Sequence, residues 1–423
     1  MGVVCDGFGP RYGHGVVQLL TSTATFCMAT VTTPTGFIIV RLCIGFSLAT
    51  FVACQYWCST MFNVRIVGSA NAFAAGWGNA GAGVVNLVMP YLYSGLENVQ
   101  PSYIAWRLAF FIPAFIQIII GLCVLIFGQD APDGQFAELK KQGQMNATKS
   151  HMDFWSAVKN YRTWVLLLTY GYCFGVELTC DNNLPTYLHD QFNISLHEAG
   201  VLGAVFGLSN IFARALGGIA SDLAAKRFGM RGRLWVLYIV QSLGGVCSLL
   251  MYYARESLGG TMAIIVCWSI FVPMACGATF GVAPFITRRG LGVASGLIGA
   301  GGNAGSAVTQ AIFFTSASMT LAEGFKWMGV MIMGITATVS LLHWPMWGSM
   351  FLPGNPEKTE QEYYSKDFTV AEREAGLHRV VLNFASESRS QRGFAQAMAA
   401  LNVETSLPKI KDSPSHSSSD QDV

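Results

Sequence analysis

The chain has 423 residues, 52% of them hydrophobic, a mean hydropathy of +0.43, and only 12% Asp, Glu, Lys or Arg. That is about half the charge of an ordinary soluble domain, too little to clothe a globule of this length in water. The net charge of +2 excludes an electrostatic nucleic-acid binder, and the eleven scattered Cys, with no CxxC pair or metal-ligand spacing, exclude a thiol-based metal site.

Taken in order, the chain opens with MGVVCDGFGPRYG, which has neither a basic stretch nor an apolar core before its first charge, so it does not resemble a cleavable signal. Apolar blocks of about 20 residues, the length that crosses hydrocarbon as a helix, then predict ten crossings. They are 15–33, 37–61, 66–93, 106–127, 163–188, 196–220, 234–253, 262–286, 291–317 and 324–346. This is an all-α polytopic membrane protein divided into an incomplete four-span bundle (1–127), a hydrophilic loop (128–162), a six-span bundle (163–353) and a polar tail (354–423). Disorder is expected over the last 20 residues of the tail, whose Ser cluster is either a phosphorylation target or inert. Arg11, Arg65, Lys140, Lys141, Lys149, Lys159, Arg162, Lys226, Arg227, Arg231, Arg233, Arg288 and Arg289 fall on one side of this topology, against Arg107, Arg255 and Lys326 on the other. The positive-inside rule makes the first side cytoplasmic, with both termini and the central loop.

The halves repeat. DGFGPRYG carries Asp6, Arg11 and Gly13, and DLAAKRFG carries Asp222, Arg227 and Gly229 at the same spacing, 216 residues on. AAGWGNAGAG and IGAGGNAGSA align Asn79 with Asn303 at an offset of 224. Parallel repeats of this kind place a substrate near mid-membrane at their interface. Arg214 lies eight residues before Asp222, so its counterpart would fall three positions upstream of Met1. Six-plus-six symmetry therefore implies two spans preceding the first one here.

Arg214, inside the apolar run SNIFARALGG, is the sharpest candidate. A charge within a span faces the bundle interior or a pathway, and a guanidinium fork suits a planar oxyanion better than a lysine does. Snorkelling toward Asp222 is the alternative. Asn79 and Asn303, with Gly78, Gly81, Gly302 and Gly305 beside them, either line an anion site through amide and bare backbone N–H or serve helix packing. Tyr172 and Tyr170 could reach the same anion. Glu177 and Asp181, one turn apart on one helix face, and Arg41 are proton-coupling candidates, with structural roles as the alternative. Asp6, Arg11, Asp222 and Arg227 have the look of a gate. No HExxH, GxSxG or P-loop is present, and no enzyme activity, metal or cofactor is expected.

At these residues the chain resembles the nitrate/nitrite porter family of the major facilitator superfamily, in its plant and algal high-affinity form. The turn motifs carry the superfamily likeness. AAGWGNAGAG, GAGGNAG, CQYWCSTMFN and AWRLAFFIP carry the branch likeness. The resemblance implies proton symport of nitrate or nitrite by alternating access in the plasma membrane, and a clamp of two arginines, of which Arg214 matches the second. It also implies a small single-span accessory protein as partner, besides the lipid bilayer, the anion and protons. A transporter of another small solute and a non-transporting or truncated membrane subunit are the alternatives.

Overall fold

A computed structural model describes residues 1–62, 66–132, 134–141, 150–287, 289–315 and 319–374. The expected positions Arg65, Lys149 and Arg288 lie outside them, as do the side chains of Asp6 and Lys140 and everything beyond residue 374, including the Ser cluster. Among the described residues the chain makes ten helical passes. The first four are Pro10–Cys27, Pro34–Gly45 continued by Thr50–Met61, Val67–Glu97, and Ser102–Ala109 with Phe111–Phe127. Tyr161–Gly171 with Phe174–Phe192 makes the fifth. Leu196–Leu208 and Asn210–Ala254 hold the sixth and seventh. Leu258–Val282, Leu291–Phe313 and Leu321–Thr336 complete the set.

Two breaks have clear causes. Gly229, at φ 60 and ψ −144, kinks the long helix between the sixth and seventh passes, a conformation that penalises any side chain. In the matching first-half motif the break falls at Gly9, φ 93, because Pro10 opens the next helix and forces the preceding residue out of the α region. Gly13, the sequence counterpart of Gly229, is helical and buried. The repeat thus keeps the motif but moves its hinge.

Among the described residues five stretches are apolar enough to cross a membrane on length and composition: Pro34–Met61, Ser102–Phe127, His197–Ala254, Leu258–Phe285 and Leu321–Leu341. The glycine-rich passes also pack closely on their neighbours. Val67–Glu97 runs along Asn210–Ala254, where an added Cβ at Gly76 would collide with the Asn210 carbonyl and one at Gly218 with Gly68 and Ala72. Leu291–Phe313 runs along the fifth pass in the same way, Gly301 against Leu167 and Gly305 against Gly171. Small residues let these backbones approach where hydrocarbon supplies no hydrophobic drive. Gly76→Leu is therefore expected to lower the melting temperature, at a cost of about 1–3 kcal/mol of overpacking. Gly81→Ala, with open space where its Cβ would sit, is expected to melt like the parent, and equal losses would refute this packing.

The tenth pass ends earlier than its apolar run suggests. The chain leaves the 3-10 turn Ala337–Leu341, forms the antiparallel pair His343–Trp344 with Gly348–Ser349, and returns beneath the bundle. Trp344 Nε1 and the Tyr364 hydroxyl both donate to the Phe285 carbonyl at 3.0 Å, and the Tyr363 hydroxyl donates to Ile286 at 2.9 Å. Arg289 grips Glu372 with two bonds of 2.9 and 3.0 Å, which holds the Glu372 carboxyl down at about 2 against an ordinary 4.5. A depressed carboxyl contributes above its unfolded value and loses that contribution as the pH falls toward the folded one. Protection from hydrogen exchange in 360–374, taken relative to the intrinsic rate at each pH, should thus be unchanged from pH 8 to 5 and fall between about 4.5 and 2. A step near neutrality would contradict this anchor.

Candidate functional site

Arg214 sits in the sixth pass with no accessible surface. Its planar fork meets acceptors from three passes. Nη2 donates to Glu177 Oε2 at 2.6 Å, Nε to Asn210 Oδ1 at 3.2 Å, and Nη1 to the Tyr170 hydroxyl at 3.5 Å. The Asn79 amide, turned so that its oxygen faces the guanidinium, accepts from Nη1 and Nη2 at 2.8 Å each. The opposite orientation would set amide donors against guanidinium donors. The Phe174 ring covers the cation at 5.4 Å, and the Cys276 thiol donates to the same Glu177 oxygen at 3.5 Å. Burying an ion pair costs several kcal/mol per ion unless such bonds satisfy it, and here the whole fork is used.

On the far side of Asn79 and Phe174 lies a cavity of about 920 Å³. Its wall includes Asn79 and Gly78 from the third pass, Phe51 and Arg41 from the second, and Asn303 and Gly299 from the ninth. The two repeat-related asparagines therefore face one space from opposite halves. Phe51, from the first half, stacks on Phe174 of the second at 5.9 Å and 6°, and Tyr170 stacks on Phe174 in turn at 5.2 Å. Arg214 is one layer behind this wall, with Asn79 and Phe174 between it and the cavity.

Several expected site residues lie elsewhere. Tyr172 packs in a separate apolar cluster with Val176, Cys247 and Trp268, and Tyr170 is the tyrosine at the guanidinium. Residues two apart on a helix project to nearly opposite faces, so only one of the pair reaches Arg214. Gly302 and Gly305 serve contact with the fifth pass: a Cβ on either would strike Phe174 or Gly171. Gly81 has open space beside it but is not part of the cavity wall, whereas Gly78 is. Arg41 is exposed at the cavity, over the Phe37 ring at 5.2 Å. Asp181 lies one turn past Glu177, its Oδ1 buried without a partner among the described residues, near the crossing of Gly83 and Gly207.

The expected gate divides. Asp222 accepts from the Ser69 N–H and hydroxyl at 2.7 and 2.6 Å and from Arg233 Nη1 at 2.6 Å. It thereby ties the start of the third pass to the end of the sixth, between the two halves. Arg227 is exposed over the Phe228 ring and does not meet Asp222. The Gly229 kink turns Arg233, not Arg227, toward the carboxylate. Arg11 donates to the Leu125 carbonyl, and its backbone N–H donates to Asp130 at 3.0 Å. It closes the end of the fourth pass rather than pairing across the halves. Arg231 makes the matching contact in the second half, donating to the Ser349 carbonyl at 3.3 Å.

A family model described as Major Facilitator Superfamily matches residues 1–310. Nitrate transporter 2.1 of Chlamydomonas reinhardtii is 48% identical over 411 residues, covering 95% of this chain and 75% of that protein. High affinity nitrate transporter 2.5 of Arabidopsis thaliana is 46% identical over 398 residues, covering 93% and 79%. Among solved structures, the E. coli fucose:proton symporter FucP aligns with a TM-score of 0.55 at 13% identity over 80% of this chain and 85% of that one. The proton:xylose symporter XylE aligns at 0.57 and 14% over 79% and 80%. At such identities these two likenesses speak for the fold alone.

Proposed function

The chain belongs to the major facilitator superfamily and to its branch of algal and plant high-affinity nitrate transporters, and from that premise we propose that it moves nitrate across a membrane by proton-coupled alternating access. It is a multi-pass transporter, not an enzyme. The observation that carries the substrate is the buried Arg214 fork. A planar monoanion with three equivalent oxygens can take both Nη donors side by side, and nitrite shares that charge and planarity. Asn79 and Asn303 present amides from the two halves to the same cavity, so an anion between them is held by both and favours a conformation in which the halves close on it.

Coupling follows from competition. Glu177 and Asn79 already occupy the donors that nitrate needs. An ionised Glu177 neutralises Arg214, and a second anion arriving there would face the carboxylate's repulsion in a low-dielectric site. A proton on Glu177 removes that repulsion and frees the fork. Anion and proton then bind together and leave together, which is symport. Asp181, one turn away, offers a relay position on the same face. The Asp222–Ser69–Arg233 contact is the latch that must open when the path opens at that end.

The orientation with the basic end in the cytoplasm of a plasma-membrane protein belongs to this reading, supported by Lys159, Arg162, Lys226, Arg231 and Arg289 at one end of the bundle. So does a single-span accessory partner. Pro34–Gly45 buries no side chain within the chain, which leaves its apolar surface for lipid or such a partner. Uptake of isotopically labelled nitrate by a transport-null cell, with and without an accessory protein, tests the proposal. Saturable, proton-driven uptake is expected. Uptake of sugars or larger organic anions in place of nitrate would overturn it.

A further inference from the structure

We propose that His14 is a proton-binding residue of the anion cavity, a second protonation site distinct from Glu177; the inference rests on the nitrate reading above. His14 projects from Pro10–Cys27 into the same cavity that Asn79 and Asn303 line. Its Nδ1 is buried with no hydrogen-bond partner among the described residues, and the Thr50 backbone lies beside the ring. Thr50 directly follows the 3-10 turn Phe46–Ala49 that interrupts the second pass. An imidazolium has a donor on each nitrogen, a neutral ring only one, so the unpartnered Nδ1 is the atom that would take up the proton.

The charges around His14 set the sign. Pro34–Gly45 brings Arg41 and Thr50–Met61 brings Cys54 to the cavity, and Met1 lines it too. From the helix Gly2–Phe8, Cys5 is buried in a cluster with Tyr56. Phe111–Phe127 contributes Cys123, which is exposed. On its own helix Arg11 is turned to the Leu125 carbonyl, with Tyr12 beneath the guanidinium. No Asp or Glu is among the described residues that line the cavity. A protonated His14 thus adds positive charge to a space to which the described residues bring no carboxylate, and an anion entering that space stabilises the proton as the proton stabilises the anion. An entering anion supplies the partner charge that a buried imidazolium otherwise lacks. Unit charges on the order of 10 Å apart at an effective dielectric of about 20 interact strongly enough to change binding about tenfold.

The test is nitrate binding to the purified full chain at pH 5.5 and 8.0. The parent is expected to bind about tenfold more tightly at the lower pH. His14→Gln keeps a polar side chain without the charge, and should bind about tenfold more weakly than the parent at pH 5.5 and equally at pH 8.0. His14→Lys carries a fixed charge and should bind about tenfold more tightly than the parent at pH 8.0 and equally at pH 5.5. Melting curves for each variant separate loss of fold from loss of charge, and His14→Asn stands in should the glutamine variant not fold. A glutamine variant that keeps the parent's pH profile overturns the inference while leaving the nitrate reading intact. A parent that binds no nitrate at either pH overturns the nitrate reading, and this inference with it.

Discussion

Arg214→Lys is expected to cut nitrate transport by at least about a hundredfold while leaving the protein folded. Lysine keeps the charge that Glu177 requires, so the ion pair survives and the buried carboxylate is not stranded. What it loses is geometry. The guanidinium holds Glu177, Asn210, Tyr170 and Asn79 with donors fixed in one plane, and an ammonium on a flexible stem cannot hold Glu177 and still offer a planar anion two parallel bonds. Hydrogen bonds to charged groups contribute about 1.5–3 kcal/mol each, and two of them correspond to roughly a hundredfold or more. Arg214→Leu makes the useful contrast. It leaves Glu177 ionised and alone in the interior, at a cost of about 3–5 kcal/mol, so it should melt early as well as fail to transport. The measurements are labelled-nitrate uptake at matched surface expression and melting temperature in detergent. Uptake by the lysine variant within about tenfold of the parent would mean that charge alone suffices and the fork argument is wrong.

Arg214 was legible in the sequence because a charge in an apolar run has few places to go, and Asn79 and Asn303 because the repeat singles them out twice. The ten passes were legible for the same reason of composition. Rotational phase was not. The third pass carries Gly76, Gly78, Gly81 and Gly83, and only its crossing with the sixth decides that Gly76 and Gly83 are pressed against backbone while Gly78 looks into the cavity. The fifth pass breaks at Tyr172 and Cys173, so the face carrying Tyr170 could not be extrapolated through it from helical periodicity. Phe51 gave no signal at all, since an aromatic residue at a helix start reads as lipid-facing until the opposite half supplies Phe174. The pairing of Asp222 with Arg233 instead of Arg227 depends on one backbone angle at Gly229. The polar stretch after Pro353 reads as a solvated tail, yet Tyr363 and Tyr364 hold its first part to carbonyls that the end of the eighth pass leaves over.

Glu177→Gln is expected to separate binding from coupling. Glutamine is nearly isosteric with the protonated acid, so the variant imitates the state in which the fork is free. Its amide oxygen can still accept from Arg214 Nη2 and the Cys276 thiol, so neither of the donors that meet Glu177 Oε2 is orphaned. Nitrate should therefore bind as well as in the parent or better, because the anion no longer competes with a carboxylate for the guanidinium. Downhill movement and nitrate–nitrate exchange should persist. Uphill accumulation driven by a proton gradient should fall at least about tenfold, because the residue whose protonation admits the anion has lost its proton and the two fluxes are no longer obliged to travel together. Proteoliposomes separate the two quantities: counterflow of labelled nitrate measures exchange, and accumulation under an imposed pH gradient measures coupling. Gradient-driven accumulation equal to the parent's would remove Glu177 from the coupling and leave Asp181, whose Oδ1 is buried and unpartnered among the described residues, as the carboxylate to substitute next. Loss of exchange together with accumulation would show instead that Glu177 acts by holding Arg214 in place. A pair whose ionised form keeps the anion out and whose protonated form lets it in predicts the first pattern, because only the proton, and not the position of the guanidinium, distinguishes the two forms.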